Sequence, residues 1–381
     1  MIMSSAQMSG KNAVLIVNLS KSFGGVDVRV FDMAQWMHGR YPYTVAVLAG
    51  SHLHQRLVDA GLNVLALRGP RSNPRLLFSL LKAIRSGEYT VVDAHNPQSQ
   101  FWGLLAATLC RVPGRVSSVH TAYGITPGGL KGWFYTQVLR LNALWGCTYM
   151  TVSRSIEAYL QSLGVPRSRI ALIYNGIQLE ANPVSNRAAV RQAFGWDDST
   201  FVVSVVGRLE RQKGHDFILE ALPQVVQTHP QLHLLIVGDG RLRDTLEQQA
   251  QSLGVMDHVT FTGFREDIHD LLSASDAFCL PSRAEGLPFA LLEASTHGLP
   301  LLLSDVDGMG ELFTHLDTAY LFPPGDIPAL AEGLQWLMNQ PLEAIATGER
   351  AHAFVQSRLS PKTMIAETVA LYERASTSTG S

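Results

Sequence analysis

Ala277-Phe-Cys-Leu280 leads through Pro281-Ser-Arg-Ala into Glu285-Gly-Leu-Pro-Phe-Ala-Leu-Leu-Glu293. The first four residues are apolar and read as a buried strand, and the last stretch reads as a loop turning into a helix over 289–296. Pro288 suits a first helical position, because its fixed φ fits and its missing N–H has no intrahelical partner there. Glu293 then lies roughly 7 Å along the helix axis from Pro288. Between the carboxylates of Glu285 and Glu293 sit free backbone N–H groups at the positive end of a helix, a seat for phosphate. A ligand with hydroxyls at both ends and a diphosphate between them fits this pattern. A nucleotide sugar is such a ligand.

The same strand–loop–helix unit recurs along the chain. The first half shows β-rich runs at 13–18, 44–48, 63–67, 90–94, 116–120, 149–152 and 170–174. Helical patterns at 26–37, 76–84, 101–109 and 156–163 fall between them. In the second half, runs at 202–206, 232–237, 259–262, 277–280 and 299–303 alternate with helices near 216–227, 242–252 and 289–296. Such alternation predicts parallel sheets covered on both faces, and two series predict two doubly wound α/β domains. The expected division is residues 1–180 and 181–360, with a hinge in the polar stretch 179–187. Ligands of such sheets bind beyond the carboxyl ends of the strands, so the residues just after each strand matter most.

A chain of 381 residues is long enough for two cores, and 46% hydrophobic with 16% charged residues excludes a disordered class. Apolar runs such as 232–237 are far below the ~18 residues of a membrane span. The start, 1–11, lacks the layout of a secretory signal, so a cytoplasmic location is expected. Cys110, Cys147 and Cys279 are dispersed, which predicts neither a zinc site nor a disulfide framework. The net charge of −2 hides an asymmetry: residues 1–180 carry +10 and residues 181–381 carry −12. A basic half can meet anionic headgroups or an anionic acceptor; equally, the two lobes can attract each other. No Lys/Arg run interleaved with aromatics supports nucleic acid as a partner.

Several strand ends carry chemistry. Gly207-Arg208 follows the run at 202–206, with Lys213-Gly214 five residues on; Arg grips a diphosphate bidentately and Lys as a point charge. Ser22-Phe-Gly24-Gly25 lets the backbone approach a ligand, although a tight turn reads the same way. It is not a Walker A loop. Gly238-Asp-Gly240 lacks the third glycine of a dinucleotide fingerprint. His95 is read as structural, whereas His120 stands at a strand end where imidazole can bond a sugar hydroxyl. Asp305 and Asp307 are spaced as a metal pair and equally as turn caps; turn caps are the more common use. His297 and His315 lack metal spacing. Residues 128–145 mix Trp133, Phe134 and Trp145 with Lys131 and Arg140, as an interfacial helix or an ordinary packed helix does.

Taken in order, these pieces resemble the retaining glycosyltransferases of family 4. The series runs Gly24-Gly25, His120, Val152-Ser153, Asn175-Gly176-Ile177, Gly207-Arg208, Lys213-Gly214, Gly238-Asp-Gly240 and 259–263. It continues through Asp276, Leu280-Pro281-Ser282, Glu285 to Glu293, Gly298-Leu-Pro300 and Glu311-Leu312. The resemblance spans nearly the whole chain and implies the GT-B fold, two doubly wound Rossmann-like domains facing across a cleft. It implies an acceptor-binding first domain, a nucleotide-sugar-binding second domain, and a final helix at 361–376 packing back on the first.

By that resemblance Arg208 and Lys213 bind the donor diphosphate, Glu293 the ribose, and Glu285 faces the sugar. Gly207, Gly263, Phe264, Gly286, Leu287, Pro288, Phe289 and Ala290 line the donor. Gly24 and Gly25 approach its phosphate, and His120 contacts the transferred sugar. The implied reaction moves a sugar from a nucleotide sugar, most commonly a UDP-sugar, to a lipid-linked or glycan acceptor of the lipopolysaccharide kind. No metal or other cofactor is expected, and an anionic membrane surface at the inner face of the plasma membrane is a further expected partner. Residues 53–75 and 123–131 are the expected acceptor loops. Asp307-Gly-Met-Gly-Glu311 departs from the family's Gly-Gly pair before Pro-Glu, and Ala294-Ser-Thr-His297 from its small apolar run. A nucleotide-sugar 2-epimerase and a non-catalytic nucleotide-sugar-binding subunit remain as alternatives.

Overall fold

The computed structural model describes residues 13–21, 24–70, 73–122, 129–177 and 186–377. Most of the hinge at 179–187, the loop at 123–128 and the side chain of Asp307 fall outside them. The chain divides into two compact units, Met1–Tyr174 with Lys362–Ser381, and Asn175–Pro361.

Among the described residues the first unit carries a seven-stranded sheet. Its strands are β1 (Ala13–Asn18), β2 (Tyr43–Leu48), β3 (Val64–Leu67), β4 (Tyr89–His95), β5 (Gly114–Val119), β6 (Thr148–Thr151) and β7 (Ile170–Leu172). Helices α1 (Gly25–Met37), α2 (His52–Asp59), α3 (Arg75–Ser86), α4 (Pro97–Leu109), α5 (Gly129–Leu144) and α6 (Arg154–Ser162) connect them. The strand order is β3-β2-β1-β4-β5-β6-β7, with every described pair parallel. Chain direction across the sheet reverses between β1 and β4, where Asn18 stands opposite His95. One apolar layer, with Val14, Ile16, Val45 and Val91, packs on one sheet face; Leu15, Val17, Ala46 and Val92 pack on the other. That two-sided burial is why these strands read as unbroken apolar runs rather than alternating ones.

In the second unit α7 (Arg187–Phe194) precedes β8 (Phe201–Val206), α8 (His215–Val226), β9 (Leu232–Val237), α9 (Arg243–Ser252) and β10 (Val259–Gly263). Then follow α10 (Ile268–Ala274), β11 (Ala277–Leu280), α11 (Phe289–Thr296), β12 (Leu301–Ser304), α12 (Asp307–Gly310), β13 (Tyr320–Phe322), α13 (Ile327–Asn339) and α14 (Pro341–Arg358). The sheet order is β10-β9-β8-β11-β12-β13, reversing between β8 and β11. The closing helix α15 (Pro361–Thr377) lies in the first unit from Lys362 onward, burying Met364, Ile365, Leu371 and Tyr372 there.

Some elements differ from expectation. Residues 53–59 of an expected acceptor loop lie in α2, whose first turn is capped by Ser51 Oγ accepting from His54 N at 3.2 Å. Pro288 is the N-cap of α11 and not its first helical residue; its ψ of 135° is extended, so the helix begins one residue later. The carboxyl-terminal helices α13 and α14, outside the runs read from sequence, carry Gly333 and Gly348 in their interiors. Both are packing sites: a Cβ on Gly333 would come within 2.4 Å of Leu302 Cδ1, and one on Gly348 within 2.3 Å of Gly298 O.

Candidate active site

The second unit places its polar side chains at its sheet reversal, beyond the carboxyl ends of β8 and β11. β8 ends at Val206, and Gly207 N bonds back to Val237 O at 2.9 Å. The chain then makes a short turn over 211–213, and Gly214 takes φ of 67°. A Cβ there would lie 1.9 Å from Pro281 O, so only glycine lets this turn press against the loop after β11. That approach delivers Lys213 to Glu285: Nζ donates to Oε1 at 2.6 Å. Ser282 Oγ donates to the same oxygen at 2.8 Å. Glu285 is only 7% exposed, so its carboxylate depends on these two donors for its solvation.

The loop between Ser282 and Pro288 is tied on every side. Gln212 Nε2 donates to Ala284 O at 2.8 Å, and Arg283 N to Gln212 O at 2.8 Å. Arg283 grips Asp216 with two bonds of 2.7 and 2.6 Å while lying over the Phe217 ring. Asn175 Nδ2 donates to Leu287 O at 2.6 Å. The amides of Phe289, Ala290 and Leu291 head α11 and have no intrahelical acceptor. Glu293 stands half-buried one turn further on. Arg208 is exposed, and among the described residues no hydrogen bond or ion pair holds its guanidinium. Next to the cluster, His215 is 2% exposed with neither ring nitrogen hydrogen-bonded; burial, with Lys213 alongside, pushes its pKa down to about 4.

In the first unit the reversal between β1 and β4 is also polar. Asn96 Nδ2 donates to Asn18 Oδ1 at 2.7 Å, and Asn18 Nδ2 to Asp27 Oδ1 at 2.9 Å. Asp27 lies in the first turn of α1, after Gly24, and burial pushes its carboxyl up to about 6. On β4, Asp93 is fully buried, accepting from Ser118 Oγ and from Tyr372 OH of α15, each at 2.6 Å. Burial would raise the Asp93 carboxyl, but His95, Ser118 and Tyr372 outweigh it and hold it below the usual carboxylate range. His95 Nδ1 meets His120 Nε2 at 3.0 Å, with the rings stacked. Burial, with His95 and Arg29 nearby, holds His120 well below the usual imidazole range.

The expected residues thus fall into two clusters. Lys213, Glu285, Gly286, Leu287, Pro288, Phe289, Ala290 and Glu293 belong to one, beside Gly207 and Arg208. Gly263 ends β10 with φ of 73°, accepts from Gly238 N at 2.9 Å, and is followed by the half-exposed Phe264. His120 belongs to the other cluster, on the unit that holds Gly24 and Gly25. No motif in the sequence marks Asp93, Tyr372 or His215, and His95 reads there as structural. An Asp inside the run Val-Val-Asp-Ala was the available signal, because a charge on a central strand needs partners.

On α5, Leu130, Trp133, Phe134 and Leu144 are 89%, 62%, 47% and 82% exposed, with Lys131 and Arg140 also exposed. Among the described residues no helix is long and apolar enough to cross a membrane, and no cluster of three His, Cys, Asp or Glu is arranged to hold a metal.

Two doubly wound parallel-sheet units in one chain are the architecture of the GT-B class of glycosyltransferases. Residues 23–181 match the family model Glycosyltransferase Family 4, and residues 186–356 match Glycosyl transferases group 1. The UDP-Gal:alpha-D-GlcNAc-diphosphoundecaprenol alpha-1,3-galactosyltransferase of Escherichia coli is 30% identical over 268 residues, 68% of each chain. A glycogen synthase of Mycobacterium tuberculosis is 30% identical over 76% of this chain and 69% of its own. The structure of Anabaena HepE in complex with UDP-glucose superposes with a TM-score of 0.83 at 24% identity, covering 94% of this chain and 99% of that one. The chain belongs to this glycosyltransferase family, and it is a glycosyltransferase.

Proposed function

We propose that the chain is a retaining enzyme that takes its sugar from a UDP-sugar and passes it to a lipid-linked or glycan acceptor of the cell envelope. The observation that carries this reading is the Lys213–Glu285 pair at the sheet reversal, with an uncommitted Arg208 beside it. The names of the Escherichia coli and Anabaena relatives support UDP as the nucleotide.

In this reading the second unit is the donor domain. Arg208 and Lys213 take the diphosphate, the α11 amides with Gly286, Leu287, Phe289 and Ala290 take phosphate and sugar oxygens, and Glu293 takes the ribose. Glu285 faces the sugar, while Gly207, Pro288, Gly263 and Phe264 complete the lining. The first unit is the acceptor domain and holds Gly24, Gly25 and His120. The acceptor hydroxyl oxygen bonds to the anomeric carbon on the face from which the phosphate oxygen departs. The departing phosphate oxygen takes the acceptor's proton. Fixed cations stabilise the charge that develops on the leaving diphosphate, and no metal is needed for that task.

The exposed face of α5 supports contact with an anionic bilayer at the cytoplasmic side of a membrane, its rings at headgroup level and Lys131 and Arg140 beside them. Co-sedimentation with anionic but not neutral vesicles, lost in Trp133→Ser with Phe134→Ser, is the check.

The donor reading is tested by mixing the purified protein with UDP-, GDP- and ADP-sugars and recording thermal shift and slow nucleotide release, with and without EDTA. One UDP-sugar should stabilise the protein, and Lys213→Ala and Glu293→Ala should each abolish the effect. If no donor shifts the wild type and none is hydrolysed, the donor site is misassigned. Interconversion of free donor without acceptor would instead make the chain an epimerase.

A further inference from the structure

The first unit holds more charge chemistry than sugar contact alone requires. Asp93, His95 and His120 stand in line from the middle of the sheet to its carboxyl edge. His95 Nε2 has no hydrogen bond, but Asp93 Oδ2 lies 3.2 Å from it. A bare lone pair on Nε2 would face a carboxylate, so the His95 proton belongs on Nε2. Its Nδ1 is then an acceptor, and the 3.0 Å contact requires His120 Nε2 to donate. A neutral imidazole has one proton, so His120 Nδ1 is left as a lone pair. Among the described residues no hydrogen bond reaches that atom.

The geometry points to a relay, Asp93–His95–His120, that fixes the His120 proton on Nε2 and presents Nδ1 as an acceptor for a sugar hydroxyl. Asp93 and His95 act through His120 and are positioning residues. This rests on the proposal that His120 meets the transferred sugar. The relay extends to the carboxyl terminus of the chain: Tyr372 OH of α15 donates to Asp93 Oδ2, so the closing helix holds the first member in place. Arg29, fully buried on α1 and bonded to Thr368 of α15 at 3.2 Å, supplies a fixed positive charge near Asp93 and His120. Together with burial, that charge opposes a second proton on the His120 ring.

The first measurement is of the wild-type protein itself. Long-range proton–nitrogen spectra of the full chain labelled with 15N-histidine, assigned with His120→Gln and His95→Gln, report which ring nitrogen carries the proton. The relay expects His120 with a protonated Nε2 and a bare Nδ1 at neutral pH. A protonated Nδ1, an imidazolium or an averaged signal would overturn it. The second measurement is kinetic. Asp93→Asn should lower kcat by about tenfold or more while donor KM stays within about twofold, and should mix the His120 tautomers. Tyr372→Phe, which leaves Ser118 on Asp93, should keep the wild-type tautomer. A folded Asp93→Asn variant with wild-type kcat would overturn the positioning role. If Asp93→Asn does not fold, the wild-type spectrum still decides. If the tautomer is as expected but no nucleotide sugar binds the wild type, the glycosyltransfer role falls and the proton arrangement stands.

Discussion

Lys213 Nζ and Glu285 Oε1 lie 2.6 Å apart although the residues are separated by three strands and three α-helices of the second unit. What brings them together is a glycine turn after β8 pressed against the loop after β11. An ammonium held by a single carboxylate keeps two protons free for an anionic ligand. Lys213→Ala should weaken UDP binding by about tenfold or more, the worth of one charge-assisted contact. It should also cost about 1–3 kcal/mol of stability, since Glu285 keeps only Ser282 as a donor. Calorimetric titration with UDP and urea denaturation measure the two effects; unchanged UDP affinity would remove Lys213 from the site.

Gly214 and Gly298 share the same backbone conformation, at φ of 67° and 64°, but not the same surroundings. A Cβ at Gly214 meets Pro281 O at 1.9 Å, whereas one at Gly298 meets nothing within 4 Å. Gly298→Ala should therefore cost about 1–2 kcal/mol, the left-handed strain alone. Gly214→Ala must also move the loop and should cost more than about 3 kcal/mol and abolish UDP binding. Similar denaturation midpoints for both would show that this loop yields.

The strand runs and the Glu285–Glu293 segment were legible because they depend on local signals: apolar runs, a Pro–Gly turn and one helical turn of spacing. The unforeseen parts depend on contacts far apart in sequence. Nothing local to Asp93 announces Tyr372, 279 positions later, as its partner. His95 reads as structural from sequence because a lone histidine more often serves structure than chemistry. The sheet register, which sets His95 beside Asn18 and Ser118, is what places it at the polar edge. Gly333 of α13 and Gly348 of α14 follow the same logic, because each admits an atom of another element.

Asn175 reaches across 112 positions to hold Leu287 O at 2.6 Å, and it is the first residue of the second unit. Asn175→Ala should leave that carbonyl without its side-chain partner and loosen the loop that precedes α11. The expected result is a loss of about 1–2 kcal/mol in stability and a rise in donor KM larger than the fall in kcat. Asn175→Asp, which offers an acceptor to an acceptor, should be worse than Ala. If Asp restores binding, the bond to Leu287 is not what shapes the loop.

His215 predicts how the second unit responds to acid. Its folded pKa is about 4, below the ordinary value near 6.5, because the ring is buried and Lys213 is close. Between those values the unfolded chain binds a proton that the folded chain refuses, so stability is full above about pH 6.5 and falls as pH drops towards 4. The loss attributable to this ring is about 3 kcal/mol. Neither ring nitrogen has a hydrogen-bond partner, so an apolar side chain of similar size gives up nothing that the histidine makes. His215→Leu should match or exceed wild-type stability at pH 7.5, and its advantage should widen steadily down to pH 4.5. Urea midpoints for both proteins across that range measure the difference. Parallel curves would mean that water or a shifted backbone satisfies the ring, and that the acid response arises elsewhere.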